Sequence, residues 1–435
     1  MNLCGSLIAA GLILLATVGA TTAAAAPADS AWTLERCEQA AFAVSPTLAG
    51  GRARAEAARA GVDVVEAGRL PVVGFDTRSS YTTEIMVLPM TSPTGANGID
   101  FGDGSNTDLM LGLRAPLFTG GRLRAETRSA RALWQASLAD VAADSLDLRL
   151  QVRWAFFAAL GGEAAADAAR QGEERLRRHL ADVEANLAVG MATEEARLQV
   201  LARLRRTEQA TVQAQAEAAA LRYRLGRLVG LPGTQVRPRA ELATSLLAGD
   251  EAARPWSERP QLQALTARLD AADQSARAAG GSRWPTIDFE GGWHYGRPGV
   301  DPVVNEWMDY GTVAVNLRWT LFDFGGRSSR IKSLRAEGRA LAAARDDVQD
   351  ALRTRQANAR TQVESARQEA ARAAERLDLE RRRLDLAHDR WRAGHATESE
   401  LLDSQDDVTL AASDQATSQA RLRLAEAELL AARGW

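Results

Sequence analysis

A mainly helical chain with a small β part, built as an internal duplication, is the fold class that three features of this sequence predict. Two very long proline-free runs carry apolar residues at heptad spacing. Each begins after a Gly-Gly pair and turns at a glycine, Gly190 in the first and Gly394 in the second. Each is preceded by two short segments that alternate apolar and polar residues, the period of a strand.

Length and composition agree with long close-packed helices. The chain has 435 residues, 46% of them apolar and 25% charged, and only 5% are aromatic. A net charge of −3 gives no basic bias, so nucleic acid is not a predicted partner. The two cysteines are Cys4 and Cys37; the first falls in an apolar leader, which leaves one thiol and no internal disulfide in a mature chain. Leu7 to Val18 is an apolar run followed by alanines, and residues 1–26 are predicted to be a secretory signal peptide cut around Ala24 to Ala26. Neither cysteine has the setting of a lipidation site. The remaining apolar segments are too short to span a bilayer as helices, so an exported chain is periplasmic, extracellular or part of an outer-membrane barrel.

In chain order, residues 27–230 form the first repeat. Trp32 to Val44 is predicted to be a short helix, and Pro46 opens a second that runs towards Pro71. Pro260 and Pro285 bracket a counterpart of the same length, because proline suits a helix start and the residue before a proline resists helix. Strand pairs follow. In the second copy Ile287, Phe289, Trp293 and Tyr295 share one face, with Asp288, Glu290 and His294 on the other. Its partner strand puts Val313, Val315, Leu317, Trp319 and Leu321 on one face and Thr312, Ala314, Asn316, Arg318 and Thr320 on the other. The first copy has Val73, Phe75 and Tyr81, then Leu109, Leu111, Leu113, Ala115 and Leu117. Its inter-strand loop is longer than that of the second copy by ten residues. Four strands do not close a barrel, since the smallest have about eight, so several chains are predicted to share one wall.

The motifs PLFTGGRLRAETRSAR and TLFDFGGRSSRIKSLRAEGRA then launch the two rods, Arg122 to Gly190 and Arg327 to Gly394, each roughly 100 Å at about 1.5 Å per residue. The first seam runs through Trp134, Leu138, Val141, Ser145, Leu148, Val152, Ala155 and Ala159. The second runs from Leu352 through Val363, Ala370 and Leu377 to Trp391. The returning helices end at Gly230 and Gly434, and each is predicted to stack with a proline-bracketed helix to match one rod. Residues 231–258 are a linker rich in Pro, Gly and Ala with at most a short helix, and 259–435 are the second repeat.

The paired launch motifs, ERPQLQAL, RWPTIDFEGGWHYG and RAGHATESELLDSQDDV resemble those of the TolC-like outer-membrane efflux proteins, and the resemblance covers essentially the whole mature chain in the right order twice. The resemblance implies a homotrimer in which four strands per chain build a 12-stranded transmembrane β-barrel in outer-membrane lipid. A periplasmic coiled-coil helical barrel would continue it and meet a periplasmic adaptor protein and an inner-membrane pump or transporter. The implied function is a passive conduit of a tripartite efflux or type I secretion system. In that family two acidic residues three apart line the periplasmic aperture, and the matching positions here are Glu400 and Asp403, which share one helical face. An ordinary solvated face is the plainer reading of such a pair. The family also links its turns through side chains. The matching residues are Glu195 and Ala196 in the first copy and Trp391 and Ala396 in the second, so the aromatic partner is kept and the polar linkers are alanine. Closure then rests on other contacts.

Other chemistry is sparse. His179, His294, His388 and His395 are scattered, and the last two are seven apart instead of at the spacing of a helical metal site; they are read as solvated or strand-face residues. No nucleophile motif, phosphate loop or zinc signature is present, so neither an enzyme nor a cofactor is predicted. A periplasmic adaptor would need one hairpin, not two, and a structural coiled-coil protein would need no lipid-facing strands.

Overall fold

The computed structural model describes residues 32–84, 87–88, 99–100, 103–247, 252–301 and 303–435. The signal-peptide expectation lies outside them. Thr33 caps helix α1 (Leu34–Val44) and Ser45 caps α2 (Pro46–Ala67), with Pro46 in the first turn where a missing N–H costs nothing. Strands β1 (Val72–Tyr81) and β4 (Ser105–Phe118) follow, and between them a two-residue pair, β2 (Val87–Leu88) and β3 (Ile99–Asp100), lies inside the long first loop. Helices α3 (Arg122–Ala188) and α4 (Glu194–Val229) complete the repeat. The second repeat has α5 (Pro260–Gly281), β5 (Thr286–Arg297), β6 (Met308–Arg318), α6 (Gly326–Arg392) and α7 (Glu398–Arg433).

The duplication is exact in length where it matters. Both rods have 67 residues and both returning helices 36, and α2 and α5 have 22 each. Arg122 corresponds to Gly326 and Glu194 to Glu398, while Pro46 corresponds to Pro260. Each rod starts at a left-handed glycine, Gly121 at φ 80° and Gly325 at φ 89°. Left-handed Gly230 and Gly434 end the returning helices.

The four long strands form one antiparallel sheet in the order β1-β4-β5-β6. Val73 pairs with Leu113 and Phe75 with Leu111; Phe289 pairs with Ala115 on one side and Val315 on the other. Cross-strand partners share a face, so these residues form the apolar face that alternation predicted, and it is uncovered: Phe75 is 66% exposed and Val313 77%. On the opposite face Arg114 Nε donates to Glu290 Oε1 at 2.7 Å, and His294 Nδ1 lies 3.0 Å from Asp108 Oδ2. The register shifts between Pro116 and Phe118, where proline has no N–H for the ladder.

Two expectations need correcting. Trp319, Thr320 and Leu321 lie beyond the last strand and not on it: β6 ends at Arg318 because the chain turns towards Asp323, whose carboxylate accepts from the Gly325 and Arg327 N–H groups. Leu138 is 47% exposed, and the buried line there is Ala132, Ala136 and Ala139, whose small side chains admit close approach of α5. The linker between the repeats is anchored at both repeats. Buried Glu426 on α7 accepts from Ser245 Oγ and from the Leu246 N–H, both at 2.9 Å, and Trp32 bridges to Pro238.

Packing is unequal. Among the described residues, helix α3 packs against α1, α2, α4, α5 and α7, whereas α6 packs chiefly against α5 and α7. The largest core cluster sits on α3, where Leu148, Val152, Phe156 and Phe157 meet Cys37 and Ala41 of α1 and Leu225 and Val229 of α4. Burial there pushes the Cys37 thiol up to about 12.

Candidate functional site at the helical turns

Both rods turn by the same local device. Gly190 (φ 76°) and Gly394 (φ 74°) take the left-handed conformation, and no heavy atom lies within 4 Å of where a Cβ would be, so backbone angle and not crowding selects glycine. The Met191 N–H donates to the Asn186 carbonyl and the His395 N–H to the Arg390 carbonyl, which satisfies the ends of α3 and α6. Thr193 and Thr397 then cap the returning helices, and Thr397 shares a capping box with Glu400.

The turn region has its own core. Leu176 and Val183 of α3, Val200 and Leu204 of α4 and Leu402 of α7 are buried together, with Ala196 and Trp391 at its border. Beside it lies a polar cluster that sequence reasoning missed. His179, 4% exposed on α3, bonds through Nε2 to Glu398 Oε1 on the first turn of α7. Trp391 Nε1 donates to the other oxygen of Glu398 at 2.9 Å, and the Trp391 ring meets the His179 ring edge-on at 5.0 Å. Contrary to the expectation of a solvated side chain, His179 is buried, because it continues the α3 seam through Gly172, Leu176 and Val183. Carrying that seam past Ala159 would have exposed it.

A second link joins α4 to α7. Arg203 bonds to Asp403 and sits 2.8 Å from Asp406 Oδ2. Burial, with Asp403 and Asp407 nearby, raises the Asp406 carboxyl above its ordinary range, and Arg203 opposes that rise. The first repeat's hairpin is thus tied to the second through His179–Glu398 and Arg203–Asp403, without the positions at Ala196 and Ala396 contributing a polar group.

The family model for outer membrane efflux proteins matches residues 38–231 and 256–434, both repeats almost entirely. The chain belongs to the outer membrane efflux protein family. Solved structures of similar fold include the outer-membrane channel OprN (22% identity, TM-score 0.75), covering 92% of this chain and 89% of that one. The Campylobacter jejuni CmeC outer membrane channel is another (14% identity, TM-score 0.77, 92% and 85% covered). A third is the open state of the Neisseria gonorrhoeae MtrE outer membrane channel (18% identity, TM-score 0.75, 92% and 88% covered). No curated protein matches. This efflux protein is thus one of the outer membrane by its family, and the three solved channels share its fold.

Within the efflux protein the expected acidic pair is on the surface. The side chains of Glu400 and Asp403 are 56% and 57% exposed, on the face of α7 that continues to Leu410 and Asp414. Their surroundings differ. Glu400 accepts from the Thr397 N–H at 3.4 Å, with Arg390 Nη2 4.0 Å away, while Asp403 is held by Arg203. Glu195 is exposed on the first turn of α4. Among the described residues no group of three or more His, Cys, Asp or Glu could hold a metal ion, and no helix is long and apolar enough to cross a membrane.

Proposed function

We propose that three copies of this efflux protein close their sheets into one 12-stranded barrel that carries cargo passively from periplasm to exterior. The observation that carries this is the sheet, with one apolar face uncovered and two open edges, β1 and β6. An open edge and a bare apolar face are both liabilities in water; pairing β6 of one copy with β1 of the next removes the first, and lipid covers the second. A heat-sensitive trimer in detergent is expected by light scattering, and a monodisperse monomer overturns the reading.

The turns around Gly190 and Gly394 are then the periplasmic aperture, the end that a periplasmic adaptor and an inner-membrane pump or transporter engage, in a tripartite efflux or type I secretion system. Glu400 and Asp403 form two stacked acidic rings there, and Glu195 and Trp391 border them. Like charge gathered in a narrow pore favours cations and holds divalent ions. The His179–Glu398–Trp391 cluster and the Arg203 links keep the second hairpin against the first, in place of the polar links replaced by alanine. In planar-bilayer recordings the double substitution Glu400→Ala and Asp403→Ala is expected to reduce cation selectivity and divalent block without loss of trimer. Because Arg203 already neutralises Asp403, Glu400→Ala alone carries the larger share. Unchanged selectivity in the double variant makes the pair ordinary solvated surface.

A further inference from the structure

Where strand becomes rod, the two repeats share a backbone but not a charge. Gly120 and Gly121, at φ 61° and 80°, correspond to Phe324 and Gly325, at φ 51° and 89°. Leu117 and Phe118 correspond to Leu321 and Phe322, and Arg69 to Arg283. Four further positions differ in chemistry: Thr119, Arg122, Leu123 and Arg124 of the first repeat stand where the second has Asp323, Gly326, Arg327 and Ser328.

In the second repeat the Asp323 carboxylate is bound at the start of α6. It accepts from the Arg327 N–H at 2.7 Å and the Gly325 N–H at 3.3 Å, and those bonds hold its pKa below the usual carboxylate range. The protein has thus placed an anion at this joint in one copy. In the other copy the start of α3 has no side-chain cap, and beside it is a cavity of about 230 Å³ lined by Arg69, Arg124, Leu117, Phe118, Thr119 and Leu123, with no carboxylate on its wall. Neither Arg69 nor Arg124 has an ion-pair partner among the described residues.

We propose that this first-repeat joint binds the phosphate headgroup of an anionic phospholipid, in the position that Asp323 fills in the second repeat. Two guanidinium groups and the N–H groups at the start of a 67-residue helix supply charge-assisted donors to phosphate oxygens. A lipid, and not free phosphate, suits the apolar part of the wall: Leu117 is 61% exposed and continues the bare apolar face of β4, so acyl chains lie along the strand while the headgroup sits at the joint. The site therefore rests on the sheet standing in the membrane as a barrel wall.

The test is native mass spectrometry of the full-length protein in detergent, titrated separately with phosphatidylglycerol, phosphatidylcholine and inorganic phosphate. One phosphatidylglycerol per chain is expected, in preference to phosphatidylcholine, and phosphate should not displace it. Thr119→Asp, which copies the second repeat, should lose the headgroup preference, as should Arg69→Ala with Arg124→Ala. The reciprocal pair Asp323→Thr and Ser328→Arg should gain a second lipid per chain, a readout that a misfolded variant does not mimic. Equal uptake of both lipids by the parent, or uptake unaffected by Thr119→Asp, overturns the site. Displacement by inorganic phosphate overturns the lipid as its source. A parent that takes up neither lipid contradicts the barrel wall itself, and the site with it.

Discussion

The two rods have the same length, the same glycine start and the same turn, yet α3 buries twenty residues and α6 eight. Duplicated positions make the contrast concrete. Phe156 is fully buried against Phe157, edge-on at 5.3 Å, and the corresponding residue of α6 is exposed Arg360. The same backbone element is thus a core helix in one repeat and a flank in the other. Under the trimeric reading, the exposed flank of α6 is a place for a neighbouring copy. A duplicated gene product has in this way separated the work of holding the subunit together from that of meeting the next one.

The largest effect that sharpens this contrast is in the core. Phe156→Ala is expected to cost about 3 to 5 kcal/mol, whereas Arg360→Ala should stay within about 0.5 kcal/mol for the subunit itself, by denaturant unfolding of the two variants. Comparable losses would mean that α6 is as deeply packed as α3.

The sheet should behave the opposite way, with the repeats alike. Leu111 and Val315 are duplicated positions on the apolar face. Arg at either should cost roughly 2 to 4 kcal/mol near mid-bilayer, while Asn316→Arg, on the polar face, is tolerated. Trimer yield on semi-native gels reads this out, and equal yields for Val315→Arg and Asn316→Arg would reverse the two faces.

At the turns the repeats diverge again. His179 corresponds to Arg383, which is exposed and pairs with Glu380 and Asp407. Removing His179 leaves Glu398, with a side chain only 12% exposed, without that partner, and His179→Ala should cost roughly 1 to 3 kcal/mol. Arg383→Ala breaks a surface pair worth about 0 to 1 kcal/mol. Thermal melts of both separate a buried link from a solvated one.

The rods, their turn glycines and the faces of the sheet were legible in the sequence because each is local. Period and punctuation are written in consecutive residues, as at Gly190 and Gly394, or in the alternation from Val313 to Leu317. What was not legible depends on pairing at a distance. A heptad seam says that a helix packs, not on which neighbour, so α3 and α6 looked equivalent and Leu138 was placed in a line that Ala136 and Ala139 occupy. Arg203 meets Asp403 two hundred positions away, and His179 meets Glu398 across two helices. Neither contact leaves a spacing to read. The acidic pair was found by position beside the turn, but that Arg203 holds one member and a capping box the other needed the folded chain.

The smallest expected effect concerns Asp406, whose place in the first repeat is taken by exposed Ala202. Burial raises its carboxyl above the ordinary range despite Arg203 at 2.8 Å, so the folded chain holds that proton more readily than the unfolded chain does. For a group of this sign, the stability it contributes is fully present below the unfolded pKa and is lost as pH rises through the folded one. At neutral pH the ionised Asp406 is therefore a net burden on the fold. Asp406→Asn keeps the shape and removes the charge, so the variant should melt slightly higher than the parent at pH 7. The difference should vanish as pH falls below about 4, near the ordinary carboxylate pKa, where the parent is protonated in both states. Melting curves of the two proteins at several pH values decide it. A variant that melts lower at pH 7 would show that the ion pair with Arg203 outweighs the cost of burial, and would make Arg203–Asp406 a stabilising link between the repeats instead of a tolerated one.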